Sequence, residues 1–223
     1  VNVLAIGAHP DDVELGCGGA LLRHVARGDH VTMLVMTTGQ RGVTTSSRVF
    51  EQQDAARVLG AALRWGNFED GAIPRGSAAI SVIDEAIMAT DAQVLYTHAP
   101  RDSHQDHRAV AVASLSAARR MRALLYYETP STQRFEPTVY VDIADVLDDK
   151  LRALCAHESQ VMRDGSVNLE ALEATARFRG SQGRIRHAEA FECPRLVWDL
   201  KTAPAAGTRH LSAEHLREFQ HEL

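Results

Sequence analysis

The chain has 223 residues, 45% hydrophobic and 24% charged, which are ordinary values for a globular domain with one substantial core. A formal charge of −5 with acids and bases interspersed excludes the basic footprint of a nucleic-acid binder. No apolar run approaches the roughly 20 residues that span a bilayer, and the N-terminal VNVLAIG lacks the basic region of a signal peptide. Three widely spaced cysteines, Cys17, Cys155 and Cys193, fit neither a disulfide framework nor a zinc finger. They imply a reducing, cytoplasmic setting, with each cysteine expected as a small core residue.

In chain order, VNVLAIGA (1–8) reads as a strand covered on both faces, and DVELGCGGALLRHVARGD as a helix with Gly28 as its stop signal. HVTMLVMTTG (30–39) is a second buried strand, RVFEQQDAARVLGA (48–61) a helix and ALRWGNF a third strand. SAAISVIDEAIMATD (77–91) is a helix, AQVLYTH (92–98) a fourth strand, and His107 to Arg120 an alanine-rich helix. RALLYYE (122–128), PTVYVDI (137–143) and RLVW (195–198) read as later strands, and 145–162 and 168–180 as helices. This alternation predicts an α/β, Rossmann-like fold, a mostly parallel sheet with helices on both faces. Residues 1–200 are expected as one domain and 201–223 as a C-terminal tail, helical or poorly ordered.

In such sheets ligands bind beyond the carboxyl ends of the strands, near a reversal in strand order. Two polar loops are expected there: His9-Pro10-Asp11-Asp12 after the first strand and His104-Gln105-Asp106-His107 after the fourth. Either alone suits a helix N-terminus, where Asp caps and Pro opens the first turn. Two on one edge, each combining histidine with aspartate, suit a metal centre. His9, Asp12 and His107 supply two nitrogens and a carboxylate and leave a position open for water. Zinc is the default, with Fe(II), Co(II) or Mn(II) as alternatives. Such a centre supplies the parts of an amide hydrolase. The metal acidifies a bound water, Asp11 acts as general base, and protonated His104, oriented by Asp106, stabilises the oxyanion.

AHPDDVELG followed by HQDH, with this strand and helix spacing, resembles the PIG-L/LmbE-like metal-dependent deacetylases. TTGQRGVTTSSRVFEQQDAARVLGA, ALCAHESQV and ARFRGSQGRIRHAEAF are similar to further parts of that family, so the resemblance spans about the first 200 residues. It implies removal of the acetyl group from an N-acetylglucosaminyl conjugate. His9, Asp12 and His107 are then the metal ligands, Asp11 the base, and His104 the oxyanion stabiliser or acid. It also implies that Arg48 and Asp70 help hold the sugar or its aglycone, and that the protein is a homo-oligomer acting on a small N-acetylated amino sugar. Inositol, malate, a lipid, a peptide antibiotic and a free oligosaccharide are all open as aglycones.

The alternatives are an amidase for a larger acyl group and a metal-binding module without turnover. Asp106 has an alternative as a helix cap, Arg48 as a solvated charge, and Asp70 as part of an Asp-Gly turn. His157 reads as a core residue or a support for a ligand, and Glu189 as a salt-bridge partner. Among the eleven histidines, His24, His30, His98, His187, His210, His215 and His221 have no ligand-like spacing with the main site. The Gly16-Cys17-Gly18-Gly19 run reads as close packing of a helix on the sheet and not as a phosphate loop.

Overall fold

In the computed structural model, residues 1–41, 45–164 and 167–197 are described. The tail after Lys201 lies outside them, as does the end of the last expected strand. Seven strands form one sheet in the order β3-β2-β1-β4-β5-β7-β6. They are β1 (Asn2–Gly7), β2 (His30–Thr37), β3 (Ala62–Phe68), β4 (Val94–His98), β5 (Ala123–Tyr127), β6 (Val139–Asp142) and β7 (Ala188–Leu196). Pairing is parallel from β3 through β5, and β7 is antiparallel to both β5 and β6. The order reverses beside β1. The chain moves outward through β2 and β3, then returns to place β4 on the other flank of β1.

The alternation inside β1 shows why a short apolar run becomes a central strand. Val3 and Ala5 enter one hydrophobic cluster, with α1 (Asp12–Ala26), α2 (Thr45–Leu59) and α5 (Leu147–Cys155). Leu4 and Ile6 enter another, with α3 (Ser77–Thr90) and α4 (Gln105–Ala117). On α3 the buried residues Ala79, Ile83 and Ala86 recur at helical spacing. α6 (Leu169–Gly183) is capped by Asn168, whose Oδ1 accepts the Ala171 N–H at 2.9 Å.

The small residues of α1 do pack it onto its neighbours. A Cβ built on Gly16 would fall 2.0 Å from the Tyr127 ring, and one on Gly19 would fall 2.6 Å from Ile143. Cys17 is buried as expected, but Cys155 is exposed and Cys193 half-buried, so the core reading holds for one cysteine of three. The expected helix over 145–162 divides into α5 and a π-helical segment, Ser159–Asp164. The Ser159 N–H donates to the Glu51 carboxylate at 2.9 Å, a long-range bond in place of a helical one. No described helix is long and apolar enough to cross a membrane.

Candidate metal centre and catalytic site

The loops after β1, β3, β4 and β5 meet at the carboxyl edge of the sheet around a cavity of about 440 Å³. His9, Asp11, Asp12, Arg48, His104 and His107 all line it. Asp12 is the centre. Its Oδ2 lies 3.4 Å from His9 Nδ1, and its Oδ1 lies 3.3 Å from His107 Nε2. Ligand atoms around a tetrahedral zinc lie roughly 3.3–3.6 Å apart, given bonds of about 2.0–2.2 Å. Each expected histidine thus lies at ligand spacing from Asp12, through a different carboxylate oxygen. Groups of ligand atoms within 4.8 Å of one another join Asp12 with His98 and His107, and His9 with Asp70 and Asp106. Ligand atoms of His9, His104 and His107 also lie within 4.8 Å of one another.

The outward nitrogen of each expected histidine ligand is held by a carboxylate, the arrangement that fixes ring orientation at metal sites. His9 Nε2 meets Asp106 Oδ2 at 3.1 Å and Asp70 Oδ1 at 3.2 Å. His107 Nδ1 meets Asp102 Oδ2 at 3.2 Å. Burial alone would lower both imidazole pKa values. The carboxylates of Asp106, Asp12 and Asp70 outweigh it at His9, holding that ring well above its ordinary range. Asp12 and Asp102 likewise bring His107 up to about 9.

Asp11 stands apart from these ligand clusters. It occupies the N-cap position of α1 at φ 93°, in the left-handed region, and its side chain makes no capping bond. Simple helix capping therefore does not account for it, and a non-glycine residue held there is a locally strained one. Two buried residues of α2 hold it. Arg48 donates to the Pro10 carbonyl at 2.6 Å and to Asp11 Oδ2 at 3.3 Å, and Gln52 Oε1 accepts the Asp11 N–H at 3.2 Å. Burial, followed by the Asp12 charge, raises the Asp11 carboxyl to about 6, while Arg48 opposes the rise.

A known family fits this constellation. Residues 4–118 match the family described as PIG-L, GlcNAc-PI de-N-acetylase. The chain belongs to the PIG-L family. At family level the activity is deacetylation of N-acetylglucosamine-containing substrates. The chain is 39% identical over 168 residues to uncharacterized deacetylase YaiS of Escherichia coli (strain K12), covering 71% of this chain and 91% of that one. It is 28% identical over 216 residues to diacetylchitobiose deacetylase of Thermococcus kodakarensis, covering 84% of this chain and 81% of that one. The crystal structure of the conserved protein TT1542 from Thermus thermophilus superimposes with a TM-score of 0.80 at 27% identity, over 91% of this chain and 99% of that one.

Within this PIG-L fold several expected roles shift. Asp106 does not orient the His104 side chain. Its carboxylate takes His9 Nε2 and the N–H groups of Gly71 and Ile73 at 2.7 and 3.3 Å. Instead, His104 is itself the N-cap of α4, with Nδ1 accepting the Asp106 N–H at 3.2 Å. A ring that accepts at Nδ1 carries its proton on Nε2 when neutral. Burial and the neighbouring His9 and His107 charges lower the His104 pKa, so the neutral form is favoured where the sequence suggested the cation. Arg48 and Asp70 both line the cleft, yet each has a partner inside the site, Asp11 and His9 respectively.

Three contributors were not singled out from sequence for this site. His98 looked like the end of a strand, but its ring is fully buried and stacks on His107 at 4.0 Å. Its Nε2 accepts the Ala8 N–H at 3.1 Å, and burial with the His107 charge lowers its pKa to about 4. It is a neutral floor for the His107 ring. Asp102 also accepts the His104 N–H at 2.8 Å, which resembles an ordinary loop turn in sequence. Gln52 joins the Asp11 backbone to Glu14, donating to Glu14 Oε1 at 2.6 Å, and His157 Nε2 lies 3.5 Å from that same oxygen. His157 is thus a support, as expected. Replacing Gln52 by Leu should leave metal content intact and lower kcat about tenfold or more, since a buried N–H and a buried carboxylate each lose a partner. Metal analysis beside steady-state kinetics checks this, and an unchanged kcat would show that Asp11 needs no such support.

Proposed function

We propose that this chain is a zinc-dependent hydrolase that removes the N-acetyl group from a small N-acetylglucosamine conjugate. The observation that supports it most is the convergence on one cleft of two histidines and an aspartate with an unliganded, strained aspartate beside them. His9, Asp12 and His107 would hold the cation. When bound, a divalent ion would acidify a water and polarise the amide carbonyl.

The chain's own groups divide the proton work. Asp11, with its carboxyl raised to about 6, takes a proton from water as the water oxygen attacks the acetyl carbon. The same carboxyl then returns a proton to the amide nitrogen as the C–N bond breaks, leaving acetate and a free amine. His104, neutral with its proton on Nε2, donates a hydrogen bond to the oxyanion that develops on the carbonyl oxygen. Arg48 keeps the ionised Asp11 in place. A binding module without turnover has no use for such a base.

Acetate release from a panel of N-acetylglucosaminides, using protein as purified, chelated and then zinc-restored, tests the reading. Release that chelation abolishes and zinc restores is the expected result. No release from protein shown to contain metal would overturn it, and protein unable to bind zinc would remove the assigned ligand roles of His9, Asp12 and His107.

A further inference from the structure

A second cavity, of about 360 Å³, opens beside the first and shares Leu15, Thr129 and Pro130 with it. Most of its remaining walls come from α6 and the β5–β7 flank, with Gly16 of α1 and Lys150 of α5 completing them. Ala171, Leu172 and Ala176 of α6 give it an apolar side. Asn168 spends Oδ1 on the α6 cap, which leaves its amide NH₂ as a donor at the rim.

Four charged side chains reach this cavity, and they neutralise one another in pairs. Arg179 bonds Glu128 through two parallel contacts, at 2.7 and 2.6 Å. Lys150 Nζ lies 2.5 Å from Glu189 Oε1 and also donates to the Leu15 carbonyl at 2.8 Å. Glu189 takes the N–H groups of Gly19 and Ala20 as well, at 2.8 and 2.7 Å. Both described cations in the lining are therefore engaged by carboxylates. An anionic group entering here would lose its hydration against carboxylates and apolar wall, with no unengaged cation among the described lining residues to replace the water. An uncharged ring with an apolar face would gain by burial.

We propose that this second cavity is the subsite for an uncharged, hydroxylated aglycone, a second sugar ring or a polyol, and that it selects against anionic aglycones. This rests on the deacetylase reading and adds the substrate class to it. The two cavities then divide the work: the histidine-lined one takes the amide-bearing sugar, and the neutral one takes what that sugar is attached to.

The test compares kcat/KM for acetate release from methyl N-acetylglucosaminide, diacetylchitobiose and N-acetylglucosaminyl L-malate. Wild type should favour diacetylchitobiose over the methyl glycoside by about tenfold or more, the gain from roughly 1.4 kcal/mol of added contact. The malate conjugate should gain nothing over the methyl glycoside. Ala171→Trp fills the cavity from an exposed helix position, and Thr175→Trp does so one turn later. Either should remove the diacetylchitobiose advantage while leaving the methyl glycoside within about twofold. An advantage that survives both variants, equal rates for the two neutral substrates in wild type, or a preference for the malate conjugate would overturn the subsite. No acetate release from any of the three would instead bring down the deacetylase reading beneath it.

Discussion

Replacing Asp11 by Asn is expected to leave zinc bound and to lower kcat by about 10²–10⁴-fold, the usual contribution of a positioned general base. Asp11 is not one of the three proposed metal ligands, and it belongs to none of the described groups of convergent ligand atoms. Asn keeps the shape, and the backbone contacts survive, since Gln52 holds the Asp11 N–H and Arg48 holds the Pro10 carbonyl. The ability to take a proton disappears, together with the charge that faces Arg48. The pH dependence carries the same sign. A base works ionised, and Asp11 sits at about 6, so the wild-type rate should fall as pH drops through that value. The residual activity of the Asn variant should lack this limb. Unchanged turnover would remove Asp11 from the proton transfer, and metal loss would make it a ligand after all.

The largest structural effect is expected at Gly16. A methyl group there would sit 2.0 Å from Tyr127 Cδ2 and 2.4 Å from Cγ, well inside contact distance. The ring has nowhere to go: it is fully buried, its hydroxyl donates to the Ile6 carbonyl at 2.7 Å, and His98 packs against it at 4.8 Å. Gly16→Ala should destabilise the fold by about 3 kcal/mol or more, at the upper end of overpacking penalties. That is a fall of roughly 6–12 °C in Tm for a chain of this size. Gly18→Ala is the matched control. Its Cβ would find ordinary contact, 3.6 Å from Lys150, so the helix should gain about 0.5–1 kcal/mol from reduced backbone freedom in the unfolded chain. Thermal unfolding of the two variants side by side checks both signs, and a Gly16→Ala protein as stable as wild type would refute the close-packing account.

Much of this architecture is legible in the sequence because its strands are short, apolar and separated by amphipathic helices. ALRWGNF coincides with β3, Ala62–Phe68. The mostly parallel sheet follows from the alternation, and the expectation of both polar loops at one edge follows from the rule that ligands sit beyond the carboxyl ends of its strands. β7 was anticipated only from Arg195, whereas it begins at Ala188. The sequence reads Glu189 only as a salt-bridge partner, and Lys150 is that partner, but the buried strand that carries it is not signalled locally. The insertion of β7 between β5 and β6 is a matter of long-range pairing, which no local pattern encodes. The same distinction separates the site residues. His9, Asp11, Asp12, His104 and His107 sit in two compact motifs, while His98, Asp102 and Gln52 act through partners far along the chain or through packing. The lowering of the His104 pKa comes first from burial and then from His9 and His107 beside it, and neither the burial nor the approach of His9 can be read from the HQDH motif.

The Lys150–Glu189 pair has a bearing on the order in which the molecule assembles. Glu189 binds the N–H groups of Gly19 and Ala20 across 170 and 169 positions of chain, and Lys150 binds the Leu15 carbonyl across 135. The helix that presents Asp12 is therefore secured by β7, the last described strand of the chain. On a ribosome, the β1–α1–β2 unit emerges long before its clasp exists, and closing so large a loop is a late, slow event. A nascent chain halted before residue 188 would carry both motifs of the proposed metal site and lack the carboxylate that fastens the first of them. Acquisition of the cation should therefore follow, in time, the docking of β7.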